Sequence, residues 1–210
     1  MSEVRPRSES ADRGRRPAPR QERAIRTRDQ ILLAAGELFA ERGYRATSVT
    51  EVARRARLTK GAVYFHFPSK ERLAVALAEE HHARWSTMVG AAQERGLSPM
   101  ETVEAMLEEA CVAFQSDQMT QAVCRLQLER PRLDWLPTPY LHWTTLLTSL
   151  LTVASAAGEL RPGVDPEAAA RCLVAAFFGT QRVSDALTGR EDLPHRWRET
   201  RDLLFPALCV

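Results

Sequence analysis

The segment SVTEVARRARLTKGAVYFHFPSK, residues 48–70, determines the fold of the N-terminal part of the chain. Ser48 is followed three residues later by Glu51, which is the spacing of a capping box at the start of a helix. Thr59 and Ser69 can cap two further helices in the same way. The apolar residues between the first two caps recur at helical spacing, at Val49, Val52, Ala53 and Ala56. The segment therefore predicts two short helices joined by a tight turn, followed by the beginning of a longer helix.

The second of these short helices combines an apolar side with a side that suits nucleic acid. Val63 and Phe67 lie four residues apart and can face one core. A helix that presents small, hydrogen-bonding and positively charged residues after a short turn fits the major groove of duplex DNA. Those residues here are Thr59, Lys60, Gly61, Ala62, Tyr64 and His66. We interpret the segment as a helix-turn-helix DNA-binding motif rather than a hairpin packed for stability alone.

The motif predicts distinct roles for its residues. Lys60 and Gly61 are expected to approach base edges, because the missing Cβ of Gly61 allows close contact. Most other contacts are expected to go to phosphates, which position a protein on DNA without reading sequence. The complete predicted DNA-binding set is Arg26, Arg28, Ser48, Thr50, Thr59, Lys60, Gly61, Ala62, Tyr64, His66 and Lys70.

The stretch from about Arg26 to Leu77 resembles the DNA-binding domain of the TetR repressors. The resemblance includes the core TKGAVYFHFPSK, and it extends without a gap from TRDQILLAAGELFAERGYRATS. It implies an all-α protein with a three-helix DNA-binding domain and a larger helical domain for ligand binding and dimerisation. In this family the last two long helices pair with those of a second copy, so the resemblance also implies a homodimer on a pseudo-palindromic operator.

The distribution of charge predicts three segments. The net charge is +2, but residues 1–28 contain nine arginines and four acidic residues, a net charge of +5 that leaves −3 for the rest. Residues 1–20 have almost no large apolar side chains and are predicted to form a disordered basic arm. This arm is either a solvated tail or a segment that follows the DNA backbone or enters a minor groove. Residues 21–78 are assigned to the DNA-binding domain and residues 79–210 to the ligand-binding and dimerisation domain.

The remainder of the sequence is helical throughout, and we expect about nine helices in all. A long helix that begins at Ser69 is predicted to continue to about Arg95 and to connect the two domains. The helix that begins at Asp165 is apolar nearly all round, so it is predicted to be buried on every side. A last helix is predicted from about Leu193 to Leu208.

Composition argues against several other classes of protein. The four cysteines are widely separated, and the five histidines lack the spacing of a metal site, so neither a cofactor nor an enzyme active site is predicted. No uncharged apolar run approaches the roughly 20 residues that cross a membrane. The N-terminus is charged rather than apolar. These features predict a cytoplasmic protein without a membrane anchor; a helical-bundle enzyme is the distant alternative.

The C-terminal half resembles one branch of the TetR repressors, the γ-butyrolactone-type autoregulator receptors of antibiotic-producing actinomycetes. The similarity lies in CRLQLE, LHWTTLL and FFGTQRVSDALTGREDLPHRW. It implies that Trp143 lies over a pocket for a small diffusible signal. Branch members often carry a threonine at the stretch that corresponds to Ala176-Phe177-Phe178, where this sequence has none, so a butenolide, a furan or an antibiotic is also possible as ligand, as is a constitutive DNA binder without one. The predicted ligand-binding residues are Trp85, Gln127, Tyr140, Trp143 and Phe178.

Overall fold

The computed structural model describes residues 19–129, 133, 135–138 and 140–210. These residues form nine α-helices, and the all-α prediction is confirmed. The predicted basic arm lies outside the described residues except for positions 19 and 20, which begin the first helix. The helices are α1 (Pro19–Arg42), α2 (Val49–Arg55), α3 (Lys60–His66), α4 (Lys70–Glu94), α5 (Pro99–Ser116), α6 (Gln118–Glu129), α7 (Leu141–Ala156), α8 (Pro166–Thr188) and α9 (Leu193–Leu208).

The predicted helix caps are present in the N-terminal part. The Ser48 hydroxyl accepts a hydrogen bond from the Glu51 amide at 3.2 Å, and the Glu51 carboxylate accepts one from the Ser48 amide at 2.9 Å. The hydrogen bonds from Ser48 also lower the pKa of Glu51. At the start of α3, the Thr59 hydroxyl accepts a hydrogen bond from the Ala62 amide at 3.1 Å. These caps satisfy amides that the first turn of a helix leaves without partners, so they fix where α2 and α3 begin.

The first apolar core is formed by α1, α2, α3, the first half of α4 and, in addition, α6. Ala122, Val123 and Leu126 of α6 belong to this core. Polar contacts reinforce the packing of α6 on α1, because Arg125 Nη1 donates to the carbonyls of Ala40 and Glu41 at 3.0 Å each. The last turn of α1 is therefore held by a helix that lies outside the predicted DNA-binding segment.

The turn after α1 requires its glycine. Gly43 has a φ of +78°, and a Cβ at this position would collide with the Glu129 carboxylate of α6. The same carboxylate accepts a hydrogen bond from the Tyr44 amide at 3.1 Å. A side chain at position 43 would therefore strain the turn and also push the Glu129 carboxylate away from the Tyr44 amide.

The second apolar core is formed by α5, α7, α8, α9 and the second half of α4. Leu73 and Leu77 of α4 belong to the first core, whereas Trp85 and Val89 belong to the second. The prediction that α4 is one long helix connecting both parts of the chain is confirmed. One continuous helix therefore contributes side chains to both cores.

The prediction that α8 is buried on every side is wrong for the single chain. Leu173 and Phe177 are fully buried, but Val183 and Leu187 are 48% and 67% exposed. The reason is that α8 packs on α7 and α9 and only marginally on α5, which leaves its outer side uncovered. In the described part of the chain, no helix has both the length and the apolar character needed to span a membrane.

Three histidines occupy the contact between α4 and α7. The rings of His82 and His142 are stacked, with centroids 4.5 Å apart and 11° between their planes. His81 is 3% exposed, and its Nε2 accepts a hydrogen bond from Trp85 Nε1 at 3.2 Å. Burial lowers the pKa of His81 to about 3 and that of His82 to about 4. Both imidazoles are therefore neutral in the folded protein at pH 7.

These histidines predict a loss of stability in mild acid. An unfolded histidine has a pKa of about 6.5, so between about pH 6.5 and 4 the unfolded chain binds protons that the folded chain excludes. The free energy of unfolding should therefore decrease as the pH is lowered through this window, by up to about 1.4 kcal/mol per pH unit for each histidine. Urea unfolding at pH 7 and pH 5 measures the change, and His82→Gln should reduce the slope. An identical slope in the variant would contradict the assignment.

Candidate DNA-binding surface and ligand pocket

Helix α3 presents a surface to solvent that we call its outer face, consisting of Lys60, Gly61, Tyr64 and Phe65. Its opposite side, at Val63, is buried in the first core. A Cβ added to Gly61 would meet only the Thr59 hydroxyl, at 3.9 Å. The protein itself therefore has room for a side chain at position 61, so the fold does not explain the glycine.

An open depression of about 410 Å³ adjoins the outer face, between α2, α3 and the start of α4. It brings together predicted DNA-binding residues from three separate elements. Arg45, which the sequence analysis did not select, also lines it; its only signal was a basic residue in the turn before the Ser48 cap. The resulting surface is cationic and rich in hydroxyl groups, as phosphate contacts require. The lining residues are Arg45, Ala46, Thr47, Ser48, Val49, Thr50, Lys60, Tyr64 and Lys70.

The remaining predicted residues of α3 have different surroundings. The Lys60 ammonium lies 5.7 Å from the centre of the Tyr64 ring, so the two side chains extend together. His66 is half-buried, and its ring meets the ring of Phe65 edge-on at 5.3 Å. Ala62 is half-buried as well, and its amide is used by the Thr59 cap. Lys60 and Tyr64 are therefore the polar residues of α3 that are most available to a partner.

Lys70 has a structural role that its position in the sequence does not indicate. Its ammonium donates hydrogen bonds of 2.9 Å to the carbonyls of Tyr44 and Thr47, and it lies 4.0 Å from the centre of the Tyr44 ring. Burial lowers the pKa of this ammonium. The Tyr44 hydroxyl in turn donates to Glu71 at 2.7 Å. Lys70 thus joins the start of α4 to the turn that precedes α2.

Replacing Lys70 by methionine is expected to lower the free energy of unfolding by about 1 to 3 kcal/mol, because two carbonyls lose a charged donor. Urea unfolding measures this loss. Lys60→Met is the matched control, since Lys60 is the only other lysine and is exposed; its stability should be unchanged. Unaltered stability of Lys70→Met together with weaker DNA binding would instead favour the role predicted from the sequence, a phosphate contact.

The two predicted arginines of α1 differ in their contacts. Arg28 pairs with Glu80 of α4 at 3.1 Å and lies 5.8 Å from the centre of the Phe67 ring. Arg26 is exposed near the N-terminus of α1. Contact of Arg28 with a phosphate would compete with this ion pair, so Arg26 is the better placed of the two.

The predicted ligand-binding aromatic residues form a continuous row in the C-terminal part. The ring centres of Trp85 and Trp143 are 4.9 Å apart, those of Trp143 and Phe178 are 5.6 Å apart, and those of Phe178 and Tyr140 are 4.6 Å apart. Trp85 and Trp143 are 1% and 2% exposed, whereas Tyr140 reaches the surface. This aromatic row therefore runs from the second core to solvent.

Gln127 meets the outer end of the aromatic row at a cavity of about 130 Å³, which we call the Tyr140 cavity. Three of the five predicted ligand residues line it: Gln127, Tyr140 and Phe178. Several polar residues outside the predicted set also line it. Gln181, Arg182 and Asp185 follow Phe178 on α8 at helical spacing, and Arg190 lies in the turn after α8. The remaining lining residues are Cys124 and Leu128.

The polar side of the Tyr140 cavity is organised by ion pairs. Asp185 accepts hydrogen bonds from Arg190 at 2.7 Å and from Arg182 at 3.2 Å. Burial raises the pKa of the Cys124 thiol to about 12 and also raises the pKa of Tyr140, so both groups are protonated at pH 7. The cavity therefore offers a phenol, amides and guanidinium groups to a bound molecule.

Two further concave surfaces lie near the aromatic row. An open depression of about 470 Å³ shares Tyr140 and Phe178 with the Tyr140 cavity and continues along α8 to Arg171. A groove of about 230 Å³ between α4 and α5 includes Trp85 but none of the other predicted ligand residues. The Tyr140 cavity is the stronger candidate, because most of the predicted residues converge there.

Three large apolar side chains of α8 and α9 are exposed to solvent. Val183 and Leu187 of α8 are exposed, and Leu203 of α9 is 80% exposed. Exposed apolar side chains mark an interaction site where they join into a contiguous patch.

Comparison with known proteins identifies relatives of this chain. Residues 31–77 match the family model of bacterial regulatory proteins of the tetR family. The chain is 33% identical over 190 residues to the A-factor receptor protein of Streptomyces griseus. This match covers 90% of this chain but only 66% of the length of that relative. It is 32% identical over 165 residues to the HTH-type transcriptional repressor BepR of Brucella suis, covering 74% and 79% of the two chains.

Solved structures of similar proteins are also known. One that is described as the molecular basis for control of antibiotic production by bacterial hormones is 57% identical, with a TM-score of 0.85 over 89% of this chain and 99% of the other. A gamma-butyrolactone receptor, described as an ArpA-like protein, is 30% identical, with a TM-score of 0.72 over 89% and 90% of the two chains.

Proposed function

The chain belongs to the TetR family of bacterial regulatory proteins, and we propose that it is a transcriptional repressor that a small diffusible signal releases from its operator. The observation that carries the proposal is the joint presence of an exposed cationic outer face on α3 and a polar cavity at the end of the aromatic row. Its relatives are named as regulators and receptors, which argues against the enzyme alternative. A regulator of bacterial genes acts in the cytoplasm, so that location is part of the proposal.

We propose that residues 21–78 bind DNA through the outer face of α3. Lys60 and Gly61 approach base edges, because nothing in the fold fills the space beside Gly61. Arg45, Thr50 and Tyr64 contact phosphates from the adjoining depression. Arg26 extends the contact from α1.

The proposed active form is a homodimer on a pseudo-palindromic operator, paired through α8 and α9. The exposed apolar residues of these two helices support that choice of interface. Two α3 helices about one turn of DNA apart, roughly 34–36 Å, would read two half-sites and so multiply the specificity of a seven-residue helix.

Residues 79–210 are proposed to bind a γ-butyrolactone, butenolide or furan signal that controls antibiotic biosynthesis, as the relationship to the A-factor receptor suggests. The Tyr140 cavity is smaller than the roughly 300–1,000 Å³ of typical ligand sites. A ligand would therefore displace the Tyr140–Phe178 contact and merge the cavity with the neighbouring depression. Because α4 and α6 both connect this region to the first core, the displacement would change the spacing of the two α3 helices.

The small volume of the Tyr140 cavity also favours a second candidate function. If Tyr140 and Phe178 never separate to enlarge the cavity, the chain is a DNA-binding repressor without a ligand. An antibiotic sensor is a variant of the first proposal, with a different molecule in the same cavity.

Fluorescence anisotropy tests the proposal with the purified protein and duplex DNA, either from its own upstream region or chosen by selection from random sequences. We expect binding at near-physiological salt that one member of a lactone, butenolide and furan panel abolishes. Binding that no compound, including the associated antibiotics, disturbs would favour the ligand-free repressor. Failure to select any duplex would contradict both.

A further inference from the structure

Phe65 is an exposed aromatic residue on the outer face of α3. It is 81% exposed, and among the described large apolar residues only Val210 at the chain end is more exposed. Burial of a phenylalanine ring is favourable, so a partner that covers the Phe65 ring would gain binding free energy. The only ring contact of Phe65 within α3 is the edge-on contact with His66 at 5.3 Å.

The position of Phe65 on α3 limits what that partner can be. Phe65 follows Gly61 by four residues, so the two lie on the same side of the helix, opposite the buried Val63. The positively charged Lys60 lies on the same exposed surface, and Arg45 lines the depression beside it. A partner that combines negative charge with an accessible apolar group would therefore suit this side of α3.

Duplex DNA offers that combination in its major groove. The only apolar group that a base pair displays there is the C5-methyl of thymine, and phenylalanine is one of the side chains that contacts it. A hydrogen-bonding partner would not suit Phe65, because its ring has no donor or acceptor.

We propose that Phe65 contacts the C5-methyl group of a thymine in each half-site of the operator, beside the bases that Gly61 approaches, and so determines specificity at that position. The inference rests on the proposed DNA-binding function and adds a reading contact to it. It also explains why an aromatic residue is tolerated at so exposed a place.

Substitution of thymine by deoxyuridine tests this contact, because it removes only the methyl group. The operator is first selected by the wild-type dimer from random duplexes, and each thymine is then replaced in turn in both half-sites. For one thymine position, we expect the wild-type Kd to rise roughly fourfold per methyl, and thus roughly fifteenfold for the two half-sites. The Phe65→Ala variant should bind the thymine and deoxyuridine duplexes equally, whereas Phe65→Leu should retain part of the difference.

Val112→Ala is the matched control, since Val112 is an exposed apolar residue on α5, and it should preserve the full thymine preference. Because Phe65 is exposed, its truncation should leave the melting temperature unchanged. Equal deoxyuridine penalties in wild type and Phe65→Ala would overturn the inference, as would a selected operator without a sensitive thymine. If Phe65→Ala weakened binding to every duplex by the same factor, the ring would contact the DNA backbone instead, and the inference would again fail. Absence of any DNA binding by the wild type would refute the proposed function itself.

Discussion

A Lys60→Ala variant is expected to bind the operator at least about 30-fold more weakly than the wild type. A base-edge contact contributes about 1 to 3 kcal/mol, and a dimer loses two of them, one in each half-site. Lys60 is exposed and makes no contact in α3 beyond the neighbouring Tyr64 ring, so the fold should be unaffected. Anisotropy titration at fixed salt measures the loss, and the melting temperature shows whether the variant is folded.

Arg95→Ala is the matched control for this prediction. It also removes one exposed positive charge, but at the far end of α4, about 37 Å along a helix of 25 residues. Its operator affinity should change little. Normal operator binding by Lys60→Ala would show that the outer face of α3 does not read the bases.

A Trp143→Ala variant is expected to lose about 3 to 5 kcal/mol of unfolding free energy. Trp143 is 2% exposed and packs against Trp85, Phe177 and Phe178, with ring centres 4.9 to 6.0 Å away. Truncation would leave a cavity that these neighbouring rings can fill only in part. Urea unfolding, at one protein concentration because dimer stability depends on it, measures the change.

Leu33→Ala provides the comparison for an exposed apolar residue and should cost less than about 0.5 kcal/mol. A similarly small loss for Trp143→Ala would mean that Trp143 is not part of the core. Ligand binding is better tested with Trp143→Phe, which keeps an aromatic ring in place. That variant should bind the signal compound more weakly while its operator affinity is unchanged.

Sequence features predict the first part of the structure well because they act locally. The hydroxyl groups of Ser48, Thr59 and Ser69 each accept a hydrogen bond from the amide three residues further along, and such contacts depend only on nearby residues. The apolar spacing of Val49, Val52 and Ala53 likewise determines which side of α2 is buried. Helix positions therefore follow from the sequence almost residue by residue.

Long-range contacts are what the sequence could not predict. Lys70 is a cation in a DNA-binding motif, and only the tertiary structure shows that two backbone carbonyls surround its ammonium. The packing of α6 on α1 is another case, because Arg125 contacts carbonyls that are about 85 residues away in the chain. The burial of α8 was overestimated because helix composition does not reveal how many neighbours a helix has within one chain.

The candidate ligand site was predictable only in part for a similar reason. Tyr140, Trp143 and Phe178 were selected individually, and the structure brings them together in one aromatic row. Asp185 and Arg190 lie at the end of α8 and in the turn after it. Nothing in the sequence indicates that they line the same cavity as Gln127.

If the signal molecule and the operator favour different conformations of one dimer, each must weaken the binding of the other, and calorimetric titration of the compound measures this effect. The Kd of the compound is measured for the free protein and for the protein saturated with operator. We predict weaker binding to the operator complex, by the same factor of about 5 to 150 by which the compound weakens operator binding, because coupling between two sites is reciprocal. Equal affinity of the compound for the free and the operator-bound protein would show that the compound does not release the repressor from its operator.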